Sequence, residues 1–166
     1  MPSITLTSRG EHDTGRLGAA LATHLPAGSV VALEGPLGAG KTRLVQAWAT
    51  ALGVDPREVS SPTFVLCHEY HGRLDLYHFD AYRAKGPAEF WDLGIDEYYQ
   101  TGGIVVIEWA SRVAECLPES RWEIAIEVTG PHERRFHITT LGDADPASLA
   151  HIAKAYTEDT SPPTSP

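Results

Sequence analysis

Cysteine is almost missing from this 166-residue chain, which has only Cys67 and Cys116. Two cysteines cannot build the disulfide framework that supports small secreted domains, and they suit a reducing compartment. Long apolar runs are missing too: no stretch approaches the roughly 18 residues that a membrane-spanning helix needs. The opening residues, MPSITLTSRGEHD, lack a basic stretch followed by an apolar core, so no secretory signal is expected. Positive charge is scarce, with 13 Lys and Arg against 22 Asp and Glu for a net charge of −9. Broad nucleic-acid binding needs clustered cations to release counterions, and the chain offers only Arg134-Arg135 and scattered arginines. What remains is an ordinary composition, 42% hydrophobic and 21% charged, enough for one cytoplasmic domain with a real core.

Glycine is placed with purpose. Residues Gly35-Pro36-Leu37-Gly38-Ala39-Gly40-Lys41-Thr42 form a complete G-x-x-x-x-G-K-[ST] pattern. Such a bend turns successive backbone N–H groups inward, so the amides of Leu37, Gly38, Ala39 and Gly40 can cradle phosphate oxygens. Lys41 would reach the outer phosphates, and the Thr42 hydroxyl would ligate Mg²⁺. The flanks agree: 28–34 (GSVVALE) reads as a buried strand and 41–53 (KTRLVQAWATALG) as a helix closing at Gly53. A nucleoside triphosphate is the expected ligand. No N-K-x-D guanine-reading tetrad occurs, which disfavours GTP.

The remaining pattern predicts a mixed α/β domain. A strand is expected at 4–7, a helix at 11–25 and a polar loop after 53. Two alternating runs, 63–71 and 74–82, flank Gly72-Arg73 and predict an antiparallel hairpin. A helical stretch over 87–100 is broken at Gly94. The apolar run at 103–109 has the signature of a parallel strand buried on both faces. A short helix then ends at Pro118, alternating strands follow at 121–128 and 134–141, and a last helix is expected at 146–156. The domain is thus expected to span 1–156, with 157–166 (TEDTSPPTSP) a disordered tail.

A phosphate loop needs an acid at the end of a neighbouring buried strand to hold Mg²⁺ and position water. Glu108, ending Ile104-Val105-Val106-Ile107-Glu108, and Asp80, ending LYHFD, are the two candidates, and their roles stay undivided. Trp109 adjoins Glu108 and should lie near bound nucleotide. Ser61-Pro62-Thr63 is a polar corner that could sense a γ-phosphate. Cys67 with His68, His71 and His78 invites a zinc reading, but the face alternation and the lack of a C-x-x-C pair favour surface histidines on the hairpin.

Taken in order, GPLGAGKT, SPTF, YHFDAYR, LGIDEY and VIEW resemble the bacterial TsaE (YjeE) family of ATPases, from about residue 14 to 142. The resemblance implies a P-loop three-layer α/β sandwich whose mixed sheet includes an antiparallel hairpin. It implies slow ATP hydrolysis with ATP and Mg²⁺ as cofactors, in the biosynthesis of tRNA threonylcarbamoyladenosine (t6A). TsaB and TsaD are the implied partners, tRNA being served indirectly. By position, Lys41 and Thr42 match the family's phosphate and Mg²⁺ residues, and Thr63 its first switch-like segment. Asp80 matches its HFD segment and Glu108-Trp109 its acidic strand end, while Thr14 and Arg135 fall where the family contacts nucleotide. Pro36, Arg43, Ala81 and Ala84 depart from the family pattern, and Arg43 places a cation beside the loop where a second hydroxyl is common. The rivals are a small-molecule kinase on the same fold and a nucleotide-gated binding module.

Overall fold

The structure, a computed structural model, describes residues 1–59 and 66–158. Among these the strands are β1 (Ser3–Ser8), β2 (Val30–Glu34), β3 (Cys67–His71), β4 (Asp75–Asp80), β5 (Ile104–Glu108), β6 (Arg121–Val128) and β7 (Arg134–Leu141). They form one sheet in the order β1-β7-β6-β2-β5-β4-β3. The two apolar runs lie at its centre: β2 pairs parallel with both β5 and β6. Every residue of β5 is buried. That agrees with the physical reason for a continuous apolar run, which is helices covering both faces.

The helices are α1 (Glu11–His24), α2 (Lys41–Ala51), α3 (Pro87–Asp92), α4 (Ile95–Tyr99) and α5 (Ala147–Glu158). Alternating side chains sort each central strand between two layers. Val31, Leu33 and Val106 pack with Leu17, Leu44, Trp48 and Ile152 from α1, α2 and α5. Val30, Ala32, Val105 and Ile107 pack with Phe90 and Ile95 of α3 and α4. Short 3-10 turns at Ala81–Arg83 and Ala110–Cys116 close that second layer. The result is the expected three-layer sandwich. No described helix is long and apolar enough to cross a membrane.

The expected antiparallel hairpin is present, β3 pairing with β4 so that His68 stands opposite His78, and on its other side β4 pairs parallel with β5. Alternation within a strand cannot say which way its second neighbour runs; the connection through α3 and α4 supplies the crossover a parallel pair requires. The segment after Trp109 is a 3-10 turn kinked at Val113. At the C-terminus, α5 runs on to Glu158, two residues past the expected end of the last helix. Thr63 and residues 159–166 lie outside the described residues.

α1 and α2 meet through Gly18, where a Cβ would stand 2.8 Å from the backbone of Ala47 and Trp48. Both contacts are with backbone, which cannot swing away. Gly18→Ala is expected to cost about 1–3 kcal/mol of stability, the usual range for overpacking, read as a lower urea midpoint at unchanged slope.

Candidate functional site

The phosphate-loop sequence joins the end of β2 to the first turn of α2. Gly38 and Gly40 have φ of 81° and 100°, left-handed conformations open to glycine at little cost, and Gly40 caps α2 directly. Lys41 is buried and folds back on its own loop, donating to the carbonyls of Gly35 and, at 3.3 Å, Pro36. Its ammonium also lies 3.9 Å from the Trp109 ring centroid, within range of a cation–π contact. Burial pushes the Lys41 pKa down, and the carboxylates of Glu108, Glu34 and Asp80 pull it back up.

Both candidate acids end parallel strands at the same level, for Asp80 is the register partner of Glu108. Glu108 is buried, and its Oε1 accepts the Thr42 hydroxyl at 3.2 Å. Asp80 accepts the Tyr82 amide at 3.1 Å and lies 3.5 Å from Arg83 Nε. Glu108 therefore faces the loop's hydroxyl, whereas Asp80 is engaged by its own following turn. Trp109 has φ of 58°, the one non-glycine with positive φ among the described residues. Its backbone is held because the Trp109 amide donates to Leu33 and the Ser111 amide to Glu34. The ring lies between Lys41 and Tyr82, 5.2 Å from the latter.

The hairpin histidines do not all lie at the surface. His71 is exposed beside Asp75, but His78 is buried with Nε2 3.1 Å from Glu108 Oε1. The reason is the parallel neighbour β5, which makes β4 an interior strand. The Cys67 thiol is pushed up to about 12, first by burial and then by Glu69, so it stays protonated and is a poor metal ligand.

Two cavities flank the loop. One of about 600 Å³ is lined by Lys41, Thr42, Asp80, Arg83, Glu108 and Trp109. The other, about 310 Å³, is lined by Ser8, Thr14, Arg134 and Phe136 with the backbone of Gly38–Gly40. Arg43 borders both and is ion-paired to Glu11 at 2.5 Å. Leu37, at the tip of the loop, is 92% exposed.

The two adjacent arginines of β7 face opposite ways. Arg135 turns to the opposite sheet face and pairs with Glu127 at 3.3 Å. Arg134 is the one at the cavity, and its guanidinium donates to the carbonyls of Ala39 (3.0 Å), Gly130 (3.0 Å) and Glu133 (2.9 Å). It clasps the phosphate loop to the β6–β7 turn. Strand alternation was the available signal, because the apolar Phe136 shares its face with Arg134 and not with Arg135.

A glycine loop between a buried parallel strand and a helix, with a hydroxyl at the helix start meeting an acid at the next strand end, defines a P-loop nucleotide-binding protein. Comparison with known proteins narrows the class. The family model described as "Threonylcarbamoyl adenosine biosynthesis protein TsaE" matches residues 8–136. The chain belongs to the TsaE family. It is 44% identical to the Treponema pallidum tRNA threonylcarbamoyladenosine biosynthesis protein TsaE over 131 residues, 79% of this chain and 96% of that one. It is also 44% identical to the Bacillus subtilis protein of the same name over 117 residues, 70% of this chain and 72% of that one. The crystal structure of Bacillus subtilis YdiB superposes with a TM-score of 0.74 at 29% identity, covering 96% of this chain and 97% of that one.

If Arg134 holds the loop in shape, Arg134→Ala should weaken ADP binding about tenfold, equivalent to about 1.4 kcal/mol. Arg135→Ala should stay within about twofold, because its partner is a surface carboxylate. Titration with a fluorescent ADP analogue distinguishes the two.

Proposed function

We propose that this protein binds and hydrolyses ATP in t6A biosynthesis, working with TsaB and TsaD, with tRNA served indirectly. The observation that carries this reading is the contact between Thr42 Oγ1 and Glu108 Oε1 at 3.2 Å, beside the buried Lys41. A hydroxyl and a carboxylate are hard oxygen donors, the chemistry that suits Mg²⁺, which takes few protein ligands and completes its shell with phosphate and water. Thr42 and Glu108 would hold the ion, which would supply charge neutralisation for the phosphate oxygens.

The rest follows from this chain's own groups. The loop amides and Lys41 stabilise negative charge on the phosphoryl oxygens. Asp80, level with Glu108 across the strand pair, would orient the attacking water. Thr14, Phe136 and the backbone of Gly38–Gly40 would receive the nucleoside in the smaller cavity, with Arg134 fixing its wall. Trp109 would pack beside the phosphates, Arg43 would lend positive charge at the rim, and Thr63 is a candidate γ-phosphate sensor. The sum is ATP + water → ADP + phosphate.

A second reading has one observation in its favour. The Asp80 carboxylate is shared with Arg83 and the Tyr82 amide, which occupies oxygens that would otherwise orient water. This supports slow turnover by the chain alone and allows a nucleotide-gated binding module as the alternative. The kinase reading is weaker, since residues 84–100 carry only Lys85 as a cation with which to cover phosphates.

Phosphate release from ATP, measured for the chain alone and with TsaB–TsaD, tests the proposal. Stimulation by the partners is expected. Lys41→Ala should abolish nucleotide binding, whereas Glu108→Gln should keep it and lose on the order of a hundredfold in turnover. Tight ATP binding without hydrolysis in any mixture would favour the binding module.

A further inference from the structure

His78 occupies a position where the fold asks for an apolar residue. It lies mid-strand on β4 between Tyr77 and Phe79, both buried, on the sheet face covered by α1 and α2. Its own side chain is 1% exposed. A ring nitrogen buried there loses its water and needs a partner. The group at hand is Glu108, whose Oε1 is 3.1 Å from His78 Nε2. The separation suits a hydrogen bond but the alignment is short of one, leaving Nε2 among the few buried polar atoms without a proper partner in the described residues. The same carboxylate oxygen accepts the Thr42 hydroxyl.

Glu108 Oε1 is thus bracketed by a hydroxyl from α2 and an imidazole from β4. Donors approaching one oxygen from two directions would restrict the plane of the carboxylate once the imidazole N–H swings into line. An acid that holds a metal depends on such support, because the groups behind a ligand set its orientation and basicity. The register explains why β4 supplies it. Asp80 is level with Glu108 and His78 with Val106, so His78 stands two residues behind on the same face, within 3.1 Å of the glutamate.

We propose that His78 is a positioning residue for Glu108: its Nε2–H orients the carboxylate that, with Thr42, receives Mg²⁺. This rests on the nucleotide-binding reading above. It concerns neither the titration of His78 nor any direct contact of the imidazole with the ion.

The test separates magnesium from nucleotide. A fluorescent ADP analogue is titrated in excess EDTA, and binding of a non-hydrolysable ATP analogue is then followed against MgCl₂. His78→Leu removes the donor at similar volume, and His78→Gln restores an N–H near the ε position. The Leu variant should need roughly tenfold more MgCl₂ for half-maximal binding, as losses behind a metal ligand typically do. Its ADP affinity in EDTA should stay within about twofold, and the Gln variant should recover most of the magnesium shift. The proposal is overturned if the Leu variant's magnesium midpoint does not move. It is also overturned if both variants shift alike, or if ADP affinity in EDTA falls in parallel, as general loosening of the core would produce. If the Leu variant does not fold, His78→Asn takes its place, being polar but too short to reach Glu108; an unshifted midpoint there is equally decisive. Wild-type binding indifferent to MgCl₂ would instead sink the underlying nucleotide–Mg²⁺ reading, which keeps the two failures distinct.

Discussion

Parallel pairing of β2 with β5 is the constraint on which the rest depends. It sets Glu108 opposite Leu33, one residue before β2 ends at Glu34, so the acid ends beside the phosphate loop. Because side chains alternate along a strand, a slip of one residue would send Glu108 to the α3–α4 layer and bring Ile107 against Thr42. Burial of β5 on both faces makes such a slip costly, since every apolar residue would then meet the wrong layer. The register of the core and the chemistry of the site are one decision.

Charge is arranged with the same economy. A buried ammonium is expensive, and Lys41 is kept in place by Glu34, Asp80 and Glu108, each at or near a strand end, together with two loop carbonyls and an aromatic face. A triphosphate entering this surrounding, as proposed, would meet carboxylates as well as amides. In the proposed reading a divalent cation would do more than assist; it would let acids and phosphates share one cavity. The net charge of −9 extends the point outward, because little of the surface would attract a polyanion such as tRNA by itself.

Much of this was legible from the chain, and the reasons differ by residue. The loop, Lys41 and Thr42 could be read because their chemistry needs fixed residues at fixed spacing. Glu108 could be read because an apolar run ending in an acid has one natural place in a parallel sheet. Which of Arg134 and Arg135 faces the cavity was not legible from residue type, because two adjacent arginines on a strand differ only in facing, which alternation around Phe136 decides. His78 was misread as a surface group because its burial comes from β5, which follows it by more than twenty residues and pairs in a direction that no local pattern shows. Long-range pairing, not local preference, hid the buried histidine.

Trp109 carries two demands that pull apart. Its left-handed backbone costs a residue with a Cβ roughly 1–2 kcal/mol, so the main chain alone would choose glycine. Its ring, lodged between Lys41 and Tyr82, would be lost in that exchange. Sequence drift at this position is therefore hemmed in from both sides: residues that relax the turn vacate the lysine's wall, and bulky ones that rebuild the wall inherit the strain.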